Sequence, residues 1–188
     1  MQRGFKARAE RIAAEIRDEM GLDQLSPLCP WELCDHLGLI VLSPAELPLA
    51  ANDLEQLTVK DPDSWSGLTI RSSGLIAVIV NPAHPKSRQR NTLMHEVSHV
   101  RLKHVGNRVD VSEDGILLVS DFSQEQEEEA NWLAGALLAP REALLAARKA
   151  GRTPAQICQQ FGISSELCLW RLRMTGVEAQ MGYSRSRR

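Results

Sequence analysis

The sequence predicts an α+β fold: a small antiparallel sheet packed on helices, followed by a C-terminal segment of helix-turn-helix-like order. Three observations carry that prediction. Two short apolar runs, at 68–71 and 75–80, flank Ser72-Ser73-Gly74 and read as a β-hairpin. Segments on either side of the hairpin place apolar residues at helical spacing. Near the C-terminus two capped helical stretches meet at Gly162.

Taken in order, residues 5–20 carry charge at every turn and read as an amphipathic helix rather than a secretory leader. Residues 30–37 form a short helix stopped by Gly38, and 39–42 a strand. Residues 43–65 have no period and read as irregular. After the hairpin, Asn81-Pro82-Ala83-His84-Pro85 makes a loop, and Leu93, Val97 and Val100 then set a helical period. The run from 107 to 122 includes an apolar stretch, 115–119, that fits no element and is expected near a substrate cleft. Ser123 with Gln126 three residues on is a capping-box start for another helix, which Pro140 closes. Residues 153–161, the turn Gly162-Ile163-Ser164 and residues 165–175 complete the chain. The expected division is one domain over 1–150 and a helix-turn-helix-like segment with a frayed basic tail over 151–188.

Composition sets the class. With 188 residues, 43% hydrophobic, 24% charged and a net charge of −2, the chain suits one globular domain plus a small appendage and lacks the overall basicity that draws proteins onto nucleic acid. No run approaches the length of a membrane span, so a cytoplasmic protein is expected. Cys29, Cys34, Cys158 and Cys168 include no Cys-x-x-Cys pair and are expected as reduced, buried thiols.

The chemistry concentrates in His95-Glu96-Val97-Ser98-His99. Histidines four apart on a helix share a face, so His95 and His99 can offer two imidazole nitrogens to one zinc ion. Glu96 is out of register with them, which leaves its carboxylate free to act on a metal-bound water. A catalytic zinc needs a third protein ligand and an open fourth position. His104 is one residue off the spacing that would supply a third histidine, and it is expected to face solvent near a helix C-terminus.

The helix after Ser123 supplies a better ligand. Winding it at about 100° per residue gathers Ala130, Leu133, Ala134, Leu137 and Leu138 into one stripe; Glu127 falls about 50° from its centre, and Glu125, Glu128 and Glu129 more than about 100° away. Glu127 alone is therefore expected to point inward, where a carboxylate is costly unless it is paired or metal-bound. Asn131, one turn further, is placed to hydrogen-bond a ligating histidine or Glu127.

The run Arg88-Gln89-Arg90-Asn91-Thr92-Leu93-Met94-His95-Glu96-Val97-Ser98-His99, the segment 127–131, Leu137-Leu138-Ala139-Pro140 and the strand pair within 67–81 resemble the ImmA/IrrE family of bacterial and phage zinc metallopeptidases. The resemblance spans about residues 5–175. It implies zinc on His95, His99 and Glu127, with Glu96 as catalytic base. It also implies a protein substrate, a helix-turn-helix-type repressor or antitoxin of a mobile element or stress regulon, cut to derepress transcription. The expected activity is zinc-dependent endoproteolysis: Glu96 takes a proton from the metal-bound water and returns it to the leaving nitrogen, with His84, His104 or Tyr183 as candidate oxyanion donor. Two rivals are weighed against it. A DNA-binding regulator would use the C-terminal helices and Arg171, Arg173, Arg185, Arg187 and Arg188, yet Leu167, Leu169, Trp170 and Leu172 make the second helix more apolar than a groove-reading one. A protein-binding module with a structural zinc would have no use for Glu96.

Overall fold

The computed structural model describes every residue except 73, 107, 112–116, 121 and 186–188, and gives the backbone alone for 72, 108–111, 117–120 and 183–185. The chain is mostly helical with one small mixed sheet. Its contacts divide it into two compact units, one of Met1 and residues 29–131, the other of residues 2–28 and 132–188.

The first unit opens with α2 (Pro30–His36), which has proline in its first turn and is followed by Gly38 at φ 68°; α1 (Phe5–Glu19) belongs to the other unit. Strand β1 (Ile40–Leu42) follows. The stretch read as irregular contains a short helix, α3 (Ala51–Glu55), that widens into a π turn over Gln56–Lys60 and a 3-10 turn over Pro62–Ser64. No residue of α3 or of these turns is buried, so no apolar period marks them in the sequence.

The hairpin pairs β2 (Gly67–Ser72) with β3 (Leu75–Val80) in full antiparallel register, Gly67 opposite Val80 and Ser72 opposite Leu75. Strands β4 (Arg108–Val111) and β5 (Leu117–Ser120) extend the β2 side, giving the order β1-β3-β2-β5-β4. β5 takes part of the apolar run that fitted no element; residues 115 and 116 lie outside the described ones. The sheet is mixed rather than antiparallel, because β1 runs parallel to β3. Strand periodicity reports which face is buried and says nothing of direction, which the long connection over 43–66 sets.

Helix α4 (Lys86–Arg101) carries the histidine motif and buries Leu93, Met94, Val97, Ser98 and His99. Its start is clamped by side-chain hydrogen bonds. The buried Asn81 donates from Nδ2 to the carbonyls of Pro62 (2.7 Å) and Trp65 (3.1 Å) and accepts from Ala83 N (3.0 Å), while Gln89 Nε2 donates to His84 O (2.6 Å) and Pro82 O (3.1 Å). β2 lies close beneath: a Cβ added at Gly67 would run into Thr92 Cγ2. Helix α5 (Gln124–Leu138) begins with the expected capping box, Ser123 N donating to Gln126 Oε1 (2.9 Å) and Gln126 N to Ser123 Oγ (3.3 Å).

The second unit contains α1, the rest of α5, α6 (Arg141–Lys149), α7 (Pro154–Phe161), α8 (Ser165–Met174) and α9 (Val177–Arg185). Phe5, Ala9, Ile12, Ala13 and Ile16 pack inward from α1, and every residue from 132 to 140 is buried. Two fully buried guanidiniums close the C-terminal end of α5, Arg17 Nη2 donating to Leu137 O (2.7 Å) and Arg171 Nε to Ala139 O (3.0 Å). Arg171 Nη2 also meets Glu10 Oε1 at 2.5 Å, and Glu10 Oε2 accepts from Arg141 N (2.9 Å) at the head of α6. Burial lowers both guanidinium pKa values, that of Arg17 to about 10. Helices α7 and α8 have the expected form: Thr153 and Gln156 make a capping box, Gly162 sits at φ 63° and Ser164 Oγ accepts from Leu167 N (3.2 Å). The four cysteines are free thiols; Cys34 and Cys168 are buried, Cys29 and Cys158 half-buried. Among the described residues no helix is long and apolar enough to cross a membrane.

Candidate metal centre

Helical spacing on α4 brings the two histidines together, and the first turn of α5 brings the carboxylate. His95 Nε2 and His99 Nε2 stand 3.0 Å apart, with Glu127 Oε2 3.3 Å from the former and Glu127 Oε1 3.6 Å from the latter. One donor atom from each residue falls within 4.8 Å of the others, a spacing that can hold a single metal ion. Asn131 is where it was expected, and its partner is His95: Oδ1 lies 3.0 Å from His95 Nδ1. An amide oxygen only accepts, so Nδ1 carries the ring proton and Nε2 presents a lone pair toward Glu127 and His99. Two imidazoles and a carboxylate with their lone pairs converging form a donor set that fits zinc.

Glu96 lies beside this cluster and outside the ligand set. Thr69 Oγ1 of β2 donates to its Oε2 at 2.5 Å. Burial raises the Glu96 pKa above the usual carboxylate range, and the Thr69 hydrogen bond opposes that rise. Thr69 was not singled out from the sequence. The signal was available in the two-residue repeat of β2, since Gly67, which abuts α4, and Thr69 share one face.

His104 does not face solvent. Its side chain is only 7% exposed, with Nδ1 3.1 Å from His99 Nδ1 and Nε2 3.6 Å from Glu129 Oε2. The end of α4 causes this: Lys103 N donates to Val100 O and His104 N to His99 O, each at 3.0 Å, with Lys103 at φ 56°. That is a Schellman motif, and it folds His104 back over the last turn. Glu129 likewise departs from expectation, being 8% exposed while the Glu127 side chain is 41% exposed. A one-stripe reading assumes that a helix is covered on one face, and α5 is covered nearly all round from Glu129 onward. His99 itself stacks on Phe122, ring centroids 3.7 Å apart, and burial, then His95 and His104, lower its pKa to about 3.

The other candidates are placed elsewhere. His84 is buried with Nε2 3.1 Å from Pro62 O and 3.5 Å from Asp63 Oδ1, so it fastens the loop before α4. The side chain of Tyr183 lies outside the described residues, as do those of Arg185, Arg187 and Arg188. Arg173 is exposed, and Arg171 is the buried partner of Glu10.

An HExxH helix beside a second helix whose Glu127 meets both histidines is an arrangement of the metallopeptidase type. Residues 59–173 match the IrrE N-terminal-like domain, and the chain belongs to that family, ImmA/IrrE. No curated protein matches the sequence. Among solved structures, a Mycobacterium tuberculosis transcriptional regulator is similar in fold, with a TM-score of 0.52 at 18% identity over 92% of this chain. This chain spans 47% of that protein's length.

Proposed function

We propose that this protein is a zinc-dependent endopeptidase that cuts a partner protein, a helix-turn-helix-type repressor or antitoxin, and so derepresses transcription. The observation that carries the reading is the His95, His99 and Glu127 cluster with a half-buried, hydrogen-bonded Glu96 next to it. Family membership supports the peptidase class. Zinc held by these three residues would polarise a peptide carbonyl and lower the pKa of a bound water to about 7.

The remaining chemistry belongs to the chain. Glu96 is a free base rather than a ligand, and burial raises its proton affinity above that of an ordinary carboxylate, which suits a group that must accept and then release a proton. Thr69 holds Oε2, which fixes the side chain and leaves Oε1 to carry the proton from water to the leaving nitrogen. Asn131 holds the His95 ring with Nε2 facing the ion. The test is cleavage of a helix-turn-helix-type repressor, sought first in the adjacent reading frame. The wild type, with about one zinc per chain, cuts it at one or a few sites; Glu96→Gln keeps the zinc and binds the partner without cutting. Loss of zinc in Glu96→Gln, or cleavage at the wild-type rate, overturns the assignment.

A further inference from the structure

We propose that Glu129 and His104 are a positioning pair that fixes which nitrogen of His99 carries the proton, leaving His99 Nε2 as the lone pair aimed at the metal. The inference rests on the metal reading above and adds to it two residues that no motif marks.

The argument follows donors and acceptors along the chain of contacts. Glu129 is buried and, when ionised, can only accept; it faces His104 Nε2 at 3.6 Å and favours the proton on that nitrogen. His104 Nδ1 is then an acceptor. It sits 3.1 Å from His99 Nδ1, so the shared proton belongs to His99 Nδ1. The opposite nitrogen of His99 is left bare, facing His95 Nε2 at 3.0 Å and Glu127 Oε1 at 3.6 Å. Asn131 does the same for His95 with a single acceptor. Each histidine of the cluster is thus held at Nδ1 by a different element, His95 from α5 and His99 from the turn that ends α4, backed by α5. The stack on Phe122 restrains the His99 plane as well, so the pair acts on the proton more than on the ring orientation.

The test reads the tautomer and the metal separately. In metal-free wild-type protein, 15N chemical shifts of the imidazoles should report His99 protonated at Nδ1; in His104→Leu the signal should move toward the Nε2-protonated or mixed form. Zinc affinity, measured by competition with a chromophoric chelator, should fall about 10- to 100-fold in His104→Leu and in Glu129→Ala. It should recover most of that loss in His104→Gln, whose amide oxygen accepts the same proton. Amide spectra of each variant establish that it is folded, and the wild-type tautomer needs no variant at all. A wild-type His99 protonated at Nε2, or a folded His104→Leu that binds zinc as tightly as wild type, overturns the proposal. A wild type that binds no zinc overturns the metal reading instead, and the tautomer then decides the role of the pair alone.

Discussion

In the unit formed by residues 2–28 and 132–188, two guanidiniums are buried against the carbonyls of Leu137 and Ala139 and the carboxylate of Glu10. In the unit formed by Met1 and residues 29–131, the buried His99 and the half-buried His95 and Glu127 turn their ligand atoms toward one another. The first arrangement neutralises its charge with the chain's own atoms: partial negative charge at a helix C-terminus and one glutamate. The second places lone pairs 3.0 to 3.6 Å apart, where each repels the next until a cation lies between them. Polar groups are satisfied by the chain itself in the one and aimed at a shared point in the other.

Zinc should separate the two most widely. At free zinc about 1,000 times the Kd, the metal-stripped protein should gain about 4 kcal/mol against chemical denaturation. Glu127→Ala should lose nearly all of that gain and Glu125→Ala none. A zinc-independent melting curve in the wild type would remove the contrast. The helical unit should break from within: Arg171→Met leaves the Glu10 carboxylate without its counter-ion and the Ala139 carbonyl without a donor, and should cost about 3 kcal/mol by urea unfolding. Adding Glu10→Gln should return part of the loss, because it removes the uncompensated charge. A double variant no better than Arg171→Met would mean that shape, not charge, holds the arginine.

What the sequence reveals of the two regions differs for the same reason. Spacing picks out His95, His99 and Glu127, which the structure brings together, although the same period places the buried Glu129 outward; Ser123 and Thr153 mark helix starts through local capping. The direction of β1 is illegible because it depends on the path of a connection in which only Pro44 is buried. His104 and Glu129 are illegible as a pair because they meet through a helix-end turn with lysine, not glycine, in the left-handed position, which the usual stop signal does not show. Arg171 reads as a surface basic residue until Glu10, far away in sequence, is placed beside it.

Acid should distinguish the units next. With the His99 pKa lowered to about 3, the native state binds fewer protons than the unfolded chain, in which histidine titrates near 6.5. Stability of the metal-free protein should therefore fall as pH drops through that window, by up to about 1.4 kcal/mol per unit for one such group. His104, also shifted down by burial, adds in the same direction. Glu96 has the opposite sign, its raised pKa making the native state bind more protons above the usual carboxylate value. Glu96→Gln should thus steepen the slope, measured by urea unfolding at pH steps between 7 and 4. The arginines stay charged throughout and contribute nothing, so a flat profile would count against the buried, neutral His99.

The smallest effect tests how the metal helix ends. In the helical unit α1, α6, α7 and α8 are each followed by a glycine at positive φ, Gly21, Gly151, Gly162 and Gly176. Helix α4 ends on Lys103 at φ 56°, the one non-glycine with positive φ among the described residues. A lysine there is strained by about 1 kcal/mol, and glycine would relieve the strain while loosening the unfolded chain. Lys103→Gly should therefore stabilise the metal-free protein by about 0.5 kcal/mol, read from thermal melts. The exposed Lys103 side chain holds none of the site's hydrogen bonds, and the backbone bonds of His104 to His99 persist with glycine, so zinc affinity should not change. Destabilisation would show that the lysine stem packs favourably against the turn. A weakened zinc site would show that the strained turn, rather than the side chains of His104 and Glu129, holds His99 in place.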